Sequence, residues 1–391
     1  MTVSTQPTRR QVLIGGAATG ALAALGLPEW ILPALAQGES PVPFTDVPAT
    51  FSTNPSPMVR VLDIRRIDIS SPITPSDQFF TLQHYNQPDV DAATYRLSID
   101  GRVAKPVKFS LDEIRKLGTT ELVAGFECSG NSPGRLHGLV SNGRWTGLPL
   151  RTLLARAGVN AEADEVVFFG ADRGEEDVDF RGRMIKVTQQ FGRSLSVADA
   201  TRPEPFIAHA LNGQPLSKNQ GFPLRLVVPG WYGVANVKWL SEIHVQRGRY
   251  LGKFQARWYR TLRGETINGE VKWTEAEISR LQLKSVIGRV TKAAGHNRVE
   301  GFVLNDGTPI RSVEVKVDDG PWRPATIDPA AARYAWKLFT YRWEGATPGE
   351  HTLVSRVTDT AGRVQPTVAD LESKLTALEN NAQWPRKVQI V

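Results

Sequence analysis

The pattern of apolar and polar positions predicts short helices and short strands between about residues 79 and 249. Residues 110–113, Ser-Leu-Asp-Glu, have the spacing of a capping box and predict a helix that ends near Gly118. A second helix is predicted over 149–157, with proline at its start and Gly158 just after its end. Because helices and strands do not alternate regularly, the pattern predicts an α+β domain rather than a doubly wound sheet. Compact apolar runs predict strands at 166–170, 224–228 and 237–245.

The pattern changes after about residue 283. Val313, Val315 and Val317 alternate with polar residues, and the turn sequence Asp-Asp-Gly follows at 318–320. Further strands are predicted at 334–343 and 351–358. Strands at this spacing, separated by turn sequences, are typical of a small β-sandwich. We expect the boundary between the two domains in the charged, irregular stretch at 250–282.

Residues 1–36 have the features of an export signal. Arg9 and Arg10 precede a small apolar run at 14–27, and Ala-Leu-Ala at 34–36 supplies a cleavage site. The paired arginines indicate the twin-arginine export route and hence a periplasmic protein. The apolar run is too short for a stable membrane span, although an uncleaved N-terminal anchor remains the alternative. Residues 37–75, rich in proline, serine and threonine, are predicted to form an N-terminal arm.

Charge bears mainly on the partners of the protein. The 391 residues contain 47 Lys and Arg against 40 Asp and Glu, a formal net charge of +7. The charges are interspersed and form no basic run, which argues against nucleic acid binding. The modest positive excess fits an anionic substrate or an acidic partner protein, and a plain solvated surface explains it equally well.

Cys128 is the only cysteine, so the chain cannot form an internal disulfide. A cysteine-rich zinc site and a covalently attached c-type haem are excluded for the same reason. The chain contains no GxSxG, Walker A or Rossmann GxGxxG motif, and its six histidines form neither HxH nor HExxH. On residue type alone, a buried inert thiol is the commoner outcome for Cys128. A thiolate that binds a soft metal is the alternative.

Several segments in order resemble the sulfite oxidase family of molybdenum enzymes. The segment around Cys128, Phe-Glu-Cys-Ser-Gly-Asn at 126–131, resembles the family's Cys-[Ala/Ser]-Gly-Asn signature. The C-terminal part resembles the family's immunoglobulin-like dimerisation domain. The resemblance implies a molybdopterin-binding catalytic domain over 76–255, an immunoglobulin-like β-sandwich over 275–391, and a homodimer. The other matching segments are 94–101, 212–216, 221–225, 229–233, 237–240, 317–320, 334–336, 364–366 and 381–384.

The resemblance also implies the cofactor, molybdenum-molybdopterin, and the residues of its site. Cys128 would be the metal ligand and a catalytic residue. Other candidate catalytic residues are His209, Arg144 and Tyr232. Leu82 replaces an arginine that helps to bind sulfite in the family, and His209 replaces the family's active-site tyrosine. The candidate cofactor-binding residues are Gln83, His84, Cys128, Asp172, Gln220, Arg225, Asn236, Val237 and Lys238.

The leading interpretation is a periplasmic enzyme that oxidises sulfite, or a related inorganic sulfur anion, to sulfate. Because the chain has no haem motif, electrons would leave through a separate carrier, with a c-type cytochrome as a candidate. One alternative is an S- or N-oxide reductase on the same scaffold, since the changes at Leu82 and His209 alter the substrate pocket. The other is a non-enzymatic exported β-rich binding protein with a buried Cys128.

Overall fold

The computed structural model describes residues 38–48, 51–67, 71–329 and 331–391. The predicted export signal therefore lies outside the described residues. The helices of the described part are short: α1 (Leu111–Lys116), α2 (Leu150–Ala157) and α3 (Val197–Ala200). Since most of the remaining regular structure is strand, the α+β prediction holds only in part. No helix in these ranges has the length and apolar character needed to cross a membrane.

Strands make up most of both parts of the molecule. Those before residue 250 are β1 (Ser40–Val42), β2 (Val59–Arg60), β3 (Thr81–Leu82), β4 (Arg96–Gly101), β5 (Val107–Ser110), β6 (Thr120–Glu127), β7 (Val140–Pro149), β8 (Glu165–Phe180), β9 (Arg183–Ser196), β10 (Phe206–Leu211), β11 (Gln214–Pro215), β12 (Arg225–Val227) and β13 (Leu240–Gln246). The later strands are β14 (Arg260–Ile267), β15 (Glu270–Glu277), β16 (Lys284–Ala293), β17 (His296–Leu304), β18 (Ile310–Val317), β19 (Arg323–Ile327), β20 (Lys337–Trp343), β21 (Gly349–Asp359) and β22 (Arg386–Ile390).

Two five-stranded sheets, the short β2-β3 pair and helices α1 to α3 make up the regular structure described in the first unit. One sheet has the order β5-β4-β13-β8-β9, and the other has the order β11-β10-β7-β6, with β12 also paired to β10. Helix α1 begins with the predicted capping box, in which Ser110 and Glu113 bond each other's backbone N–H. Helix α2 buries Leu150, Leu153 and Leu154 in the core between the sheets. The two predicted helices are therefore confirmed, and both pack in the main core of the first unit.

The second unit is an eight-stranded antiparallel structure of order β1-β16-β17-β20-β19-β18-β21-β22. Its two halves enclose one apolar core that includes Val299, Val313, Leu353 and Val388. Strand β1 belongs to the predicted N-terminal arm, which therefore adds an edge strand to this unit. The alternation predicted near residues 313–317 is confirmed as a strand, whereas the immunoglobulin-like assignment stays a prediction.

The stretch predicted to be irregular contains a hairpin instead. Strands β14 and β15 pair from Arg260 opposite Glu277 to Ile267 opposite Glu270. Asn268 and Gly269 make the turn with φ of +55° and +83°. An Asn-Gly pair that adopts positive φ at both positions is a strong hairpin signal. The prediction was wrong because the charged residues of the strands concealed that signal.

An apolar interface joins the two units directly behind the pocket. It is built from Leu62, Ile64 and Val140 on one side and Phe302 and Trp336 on the other, all buried. Backbone contact is close, since the N–H of Gly125 donates to the carbonyl of Tyr334 at 2.8 Å. The strand that leads to Cys128 is therefore held against the second unit.

Candidate active site

A cavity with about 670 Å³ of empty space, partly open to solvent, lies in the first unit. Its walls come from the end of β3, the loop after β6, the start of β12, and the segments that precede β13 and β14. Eight of the candidate residues predicted from the sequence line it: Gln83, His84, Cys128, Asp172, Gln220, Arg225, Asn236 and Lys238. These residues are far apart in sequence, and the fold brings them to one pocket.

Cys128 follows the last residue of β6 and faces the pocket. Its backbone N–H donates to the carbonyl of Leu139 at 2.9 Å, and its own carbonyl accepts from the N–H of Asn131 at 2.9 Å. Only 8% of the residue is exposed. Burial raises the pKa of the Cys128 thiol to about 11. The bare thiol is therefore protonated at neutral pH, and a bound cation would be needed to stabilise the thiolate.

A buried polar cluster fixes the loop that carries Cys128. Asn131 donates through Nδ2 to Glu127 Oε1 at 3.0 Å and to the carbonyl of His137 at 2.9 Å. Its Oδ1 accepts from the N–H of Leu139 at 3.0 Å. Lys284, from the second unit, lies 2.7 Å from Glu127 Oε1. The side chains of Glu127 and Lys284 are 1% and 3% exposed, so this is a buried ion pair between the units.

Two cationic side chains, the buried Arg225 and the half-buried Lys238, also line the pocket. Arg225 donates through Nη1 to Gln220 Oε1 at 3.1 Å, while its Nε has no hydrogen-bond partner among the described residues. The Nζ of Lys238 donates to the carbonyls of Leu82 at 3.1 Å and Asn219 at 3.3 Å, which leaves a third N–H. Burial, followed by the nearby Arg225, lowers the pKa of Lys238 to about 7. Arg225 Nε–H and the third N–H of Lys238 are therefore available to bind an anion.

Two more polar side chains in the wall lack partners. Neither the amide oxygen nor the amide nitrogen of Gln83 bonds any residue that the structure describes, and the same is true of Asp172 Oδ1. Both residues are buried, at 7% and 4% exposure. Burial raises the pKa of Asp172 to about 6, although the charge of Lys238 opposes the shift. Buried polar atoms without partners are rare in folded proteins, so their presence around one cavity indicates a polar ligand.

His84 and Tyr259 form a hydrogen-bonded pair in the pocket wall. The Tyr259 Oη lies 2.7 Å from His84 Nε2, and the His84 ring stacks on Phe254 with centroids 4.8 Å apart. Burial, with smaller effects from Lys238 and Lys253, lowers the pKa of His84 to about 4. The imidazole is therefore neutral at pH 7, and the phenol faces the cavity.

Tyr259 was not predicted as a site residue, and it lies in the stretch expected to be an irregular boundary. The signal available was the pair of aromatic residues, Trp258 and Tyr259, within a run of arginines. Tyr232 was predicted to supply the phenol, but it does not line the cavity. Its side chain is 1% exposed and packs with Phe254 and Ile278. Tyr259 is instead the phenol in the pocket wall.

Arg144 and His209 lie away from the pocket. Arg144 is exposed on β7, with its Nη1 3.5 Å from Glu121 Oε2 on the neighbouring strand. Its neighbour Trp145 is buried in the apolar cluster behind the pocket, and side chains along a strand point alternately to opposite faces. His209 lies at an irregularity of β10 between Ala208 and Ala210 and does not line the cavity. Burial, followed by the charge of Arg115, lowers its pKa. The structure therefore corrects two predictions: that Arg144 reaches the metal, and that His209 acts in the pocket as a proton donor or anion partner.

Val237 and Asn236 also differ from the prediction. Val237 is fully buried in the main core of the first unit and does not line the cavity. Asn236 does line it, but its Oδ1 accepts from the N–H of Val228 at 2.7 Å and its Nδ2 donates to the carbonyl of Tyr232 at 3.1 Å. Its side chain therefore braces the pocket wall and has little capacity left for a ligand.

Lys238 is held in position by a close approach of the chain. The loop at Gly221 has φ of +95°, and a Cβ atom there would lie 2.7 Å from Lys238 Cβ. Only glycine allows the loop to pass this near. Substitution of Gly221 would therefore displace Lys238 from the pocket wall.

The pocket lies in a segment that matches a known protein family. Residues 84–254 match the family model described as the oxidoreductase molybdopterin binding domain. The mouse mitochondrial sulfite oxidase is 29% identical over 354 residues, which cover 82% of this chain and 62% of that protein. The sulfite oxidase of Arabidopsis thaliana is 26% identical over 358 residues, or 81% of this chain and 88% of that protein. The present chain thus spans about three fifths of the length of the mammalian relatives.

A solved structure has a similar fold over most of the chain. The sulfane dehydrogenase SoxCD from Paracoccus pantotrophus has a TM-score of 0.71 and 25% identity, covering 88% of this chain and 90% of that one. Fold and pocket thus define a molybdopterin-binding oxidoreductase domain. The chain belongs to the sulfite oxidase family of molybdopterin-dependent oxidoreductases.

The residues present fit that cofactor. A thiol, the cationic side chains of Arg225 and Lys238, and unpaired hydrogen-bonding groups on Gln83 and Asp172 surround one cavity. A thiolate is a suitable ligand for a soft metal centre, and cations suit the phosphate of a pterin. The unpaired polar atoms supply donors and acceptors for a heterocycle.

Proposed function

We propose that this chain is a molybdopterin-dependent enzyme that oxidises sulfite to sulfate and passes the electrons to a separate carrier. The observation that carries the proposal is that the Cys128 thiol shares one cavity with Arg225, Lys238 and the unpaired polar atoms of Gln83 and Asp172. In the overall reaction, sulfite and water give sulfate, two protons and two electrons.

Each group has a distinct task in this proposal. Cys128 would bind the molybdenum, and Arg225 with Lys238 would neutralise the pterin phosphate, since a fixed cation in a low-dielectric site binds an anion strongly. When bound, the cofactor supplies the two-electron chemistry and the transfer of oxygen. Gln83 and Asp172 would orient the pterin. Tyr259 Oη, 2.7 Å from His84 Nε2, would accept from the Nε2–H tautomer of the neutral imidazole and donate its own O–H to the substrate oxyanion.

Sulfite-dependent reduction of ferricytochrome c by the molybdenum-loaded protein tests the proposal. Turnover by the parent and none by Cys128→Ser is the expected result. Tyr259→Phe should retain molybdenum and lose sulfite turnover by about two orders of magnitude, the usual effect of removing one oxyanion donor. A molybdenum-loaded parent that does not oxidise sulfite would exclude this substrate.

A second candidate substrate is a sulfane sulfur compound. Leu82 lines the cavity where the family resemblance leads one to expect an arginine, so the wall has one fewer anion-binding group. The solved relative is itself a sulfane dehydrogenase. Oxidation of a persulfide substrate in preference to sulfite would support this alternative. Reduction of a sulfoxide by a reduced viologen dye, with no oxidation of either sulfur compound, would support a reductase instead.

The remaining properties are proposed on the sequence pattern. The paired arginines at 9 and 10 support export to the periplasm by the twin-arginine route. We expect export to stop when both become lysine, as judged by cell fractionation. The family resemblance supports a homodimer formed by the C-terminal unit, which light scattering can test. A c-type cytochrome remains the candidate electron carrier.

A further inference from the structure

The wall between the pocket and the solvent is thin on one side. Tyr259 lines the cavity, while the preceding residue, Trp258, has 58% of its surface exposed. Consecutive residues thus face the pocket and the outside. On the Cys128 side, by contrast, the second unit covers the wall through the buried pair of Glu127 and Lys284.

Aromatic rings connect the two sides of this thin wall. Phe254, which is 2% exposed, stacks on two pocket-lining rings: His84 at 4.8 Å and Phe191 at 4.6 Å. The outer edge of Phe254 meets Trp258 at 5.9 Å with an interplanar angle of 83°. These separations are those of directly contacting aromatic pairs. An electron that leaves the pocket therefore has an unbroken aromatic path to the surface at Trp258.

The surface around Trp258 carries several positive side chains, of which Arg257 is exposed and outside the described ion pairs. Lys253 lies under the Trp258 ring, with its Nζ 3.5 Å from the centroid, but it is ion-paired with Glu176. Arg249 is paired with Glu165 and Glu277, and Arg260 with Glu275. Arg257, next to Trp258, is exposed and has no hydrogen bond or ion pair within the ranges that the structure describes. An exposed tryptophan beside an exposed arginine is a common centre of protein binding.

We propose that Trp258 and Arg257 form the docking surface for the electron acceptor, a one-electron redox protein whose metal centre is surrounded by carboxylates. This inference rests on the proposed function, because that function needs an acceptor. Each oxidised sulfite supplies two electrons, so two oxidised carriers dock in turn and each is reduced by one electron. The carrier's carboxylates face Arg257, and the exposed edge of its metal centre faces Trp258.

The test compares two oxidants with the molybdenum-loaded enzyme and sulfite. Phenazine methosulfate is small enough to enter the pocket, and oxidised plastocyanin is an acidic one-electron copper protein that must dock. Trp258→Leu is expected to keep the dye-linked rate and to lower kcat/KM for plastocyanin about tenfold, as for a central interface tryptophan. Trp322→Leu is the matched control, because Trp322 also has cations over its ring (Lys316 at 5.4 Å and Arg356 at 4.2 Å) but lies in the second unit.

Arg257→Glu provides an independent variant that removes no packing. It should weaken plastocyanin binding, measured calorimetrically without sulfite, by about tenfold at low salt, and raise the rate with the basic horse-heart cytochrome c. Plastocyanin rates that match the parent in both variants would overturn the docking site. A change from dimer to monomer in Trp258→Leu would also overturn the docking site, because it would show that this surface is a contact between subunits. No dye-linked rate in the parent would instead contradict the proposed function.

Discussion

Lys284→Met tests whether the second unit holds the Cys128 loop. The substitution keeps the unbranched stem of the side chain and removes the ammonium, leaving the Glu127 carboxylate without its ion-pair partner. At the 2.7 Å separation of Nζ and Oε1, the attraction is about 6 kcal/mol at an effective dielectric constant of 20. Desolvation of the two charges offsets much of it. Removal of one partner from such a buried pair costs about 3–5 kcal/mol.

The assay is urea unfolding of the cofactor-free protein, followed by tryptophan fluorescence. We expect Lys284→Met to lower the free energy of unfolding by about 3–5 kcal/mol. The double variant with Glu127→Gln should lose less than the sum of the single variants, by about 2 kcal/mol, because it leaves no unpaired charge. Lys186→Met is the control: Lys186 is 64% exposed and pairs with Asp177 at 3.5 Å, so its loss should be within about 1 kcal/mol.

The Cys128 thiol gives a second readout. If the pair fixes the loop, Lys284→Met should make Cys128 react faster with a thiol reagent under native conditions, while Lys186→Met should not. The reasoning is refuted if Lys284→Met unfolds within about 1 kcal/mol of the parent, the range of an exposed pair, and its thiol reacts at the parental rate.

Three further results follow from the pocket. Asp172→Asn should stabilise the cofactor-free protein at pH 7.5 by about 2–3 kcal/mol in urea unfolding. Burial raises the pKa of this carboxyl to about 6, so the folded state disfavours the ionised form that predominates at pH 7.5. No gain in stability would show that the carboxylate has a partner. For His84, whose pKa is lowered to about 4, the unfolded state binds a proton as the pH falls below about 6.5 while the folded state does not. The contribution of His84 to stability should therefore fall by about 2 kcal/mol from pH 7 to pH 5, measured as the difference between the parent and His84→Gln across that range. Asn131→Ala should cost about 3 kcal/mol, because it leaves the buried N–H of Leu139 and one oxygen of Glu127 without this partner; a change below about 1 kcal/mol would contradict the role of Asn131 in the loop.

Local sequence signals predicted the secondary structure that they specify directly. The capping box at Ser110 and the proline and glycine that flank α2 appear in the structure as predicted. The Asn268-Gly269 turn was an equally local signal, and it was overlooked because the strands beside it are charged rather than apolar. These elements depend on a few neighbouring residues, which a single sequence displays.

The pocket depended on the resemblance to a family and on long-range packing. Motif matching placed Cys128, Arg225 and Lys238 together, and the structure agrees. It misplaced Arg144 because the face to which a strand residue points depends on register, here shown by the buried Trp145 beside it. Tyr259 lies outside the matched family segment, and its contact with His84 spans 175 positions, so only the fold could reveal it.

The central claim is that Cys128 binds molybdenum in this pocket. X-ray absorption at the molybdenum edge, on parent protein and Cys128→Ser purified after native expression, tests it most directly. The account predicts molybdenum in the parent with one more sulfur neighbour than the pterin alone provides, and the loss of that sulfur, or of the metal, in Cys128→Ser. Parent protein without molybdenum, or an unchanged sulfur shell in Cys128→Ser, would contradict the account.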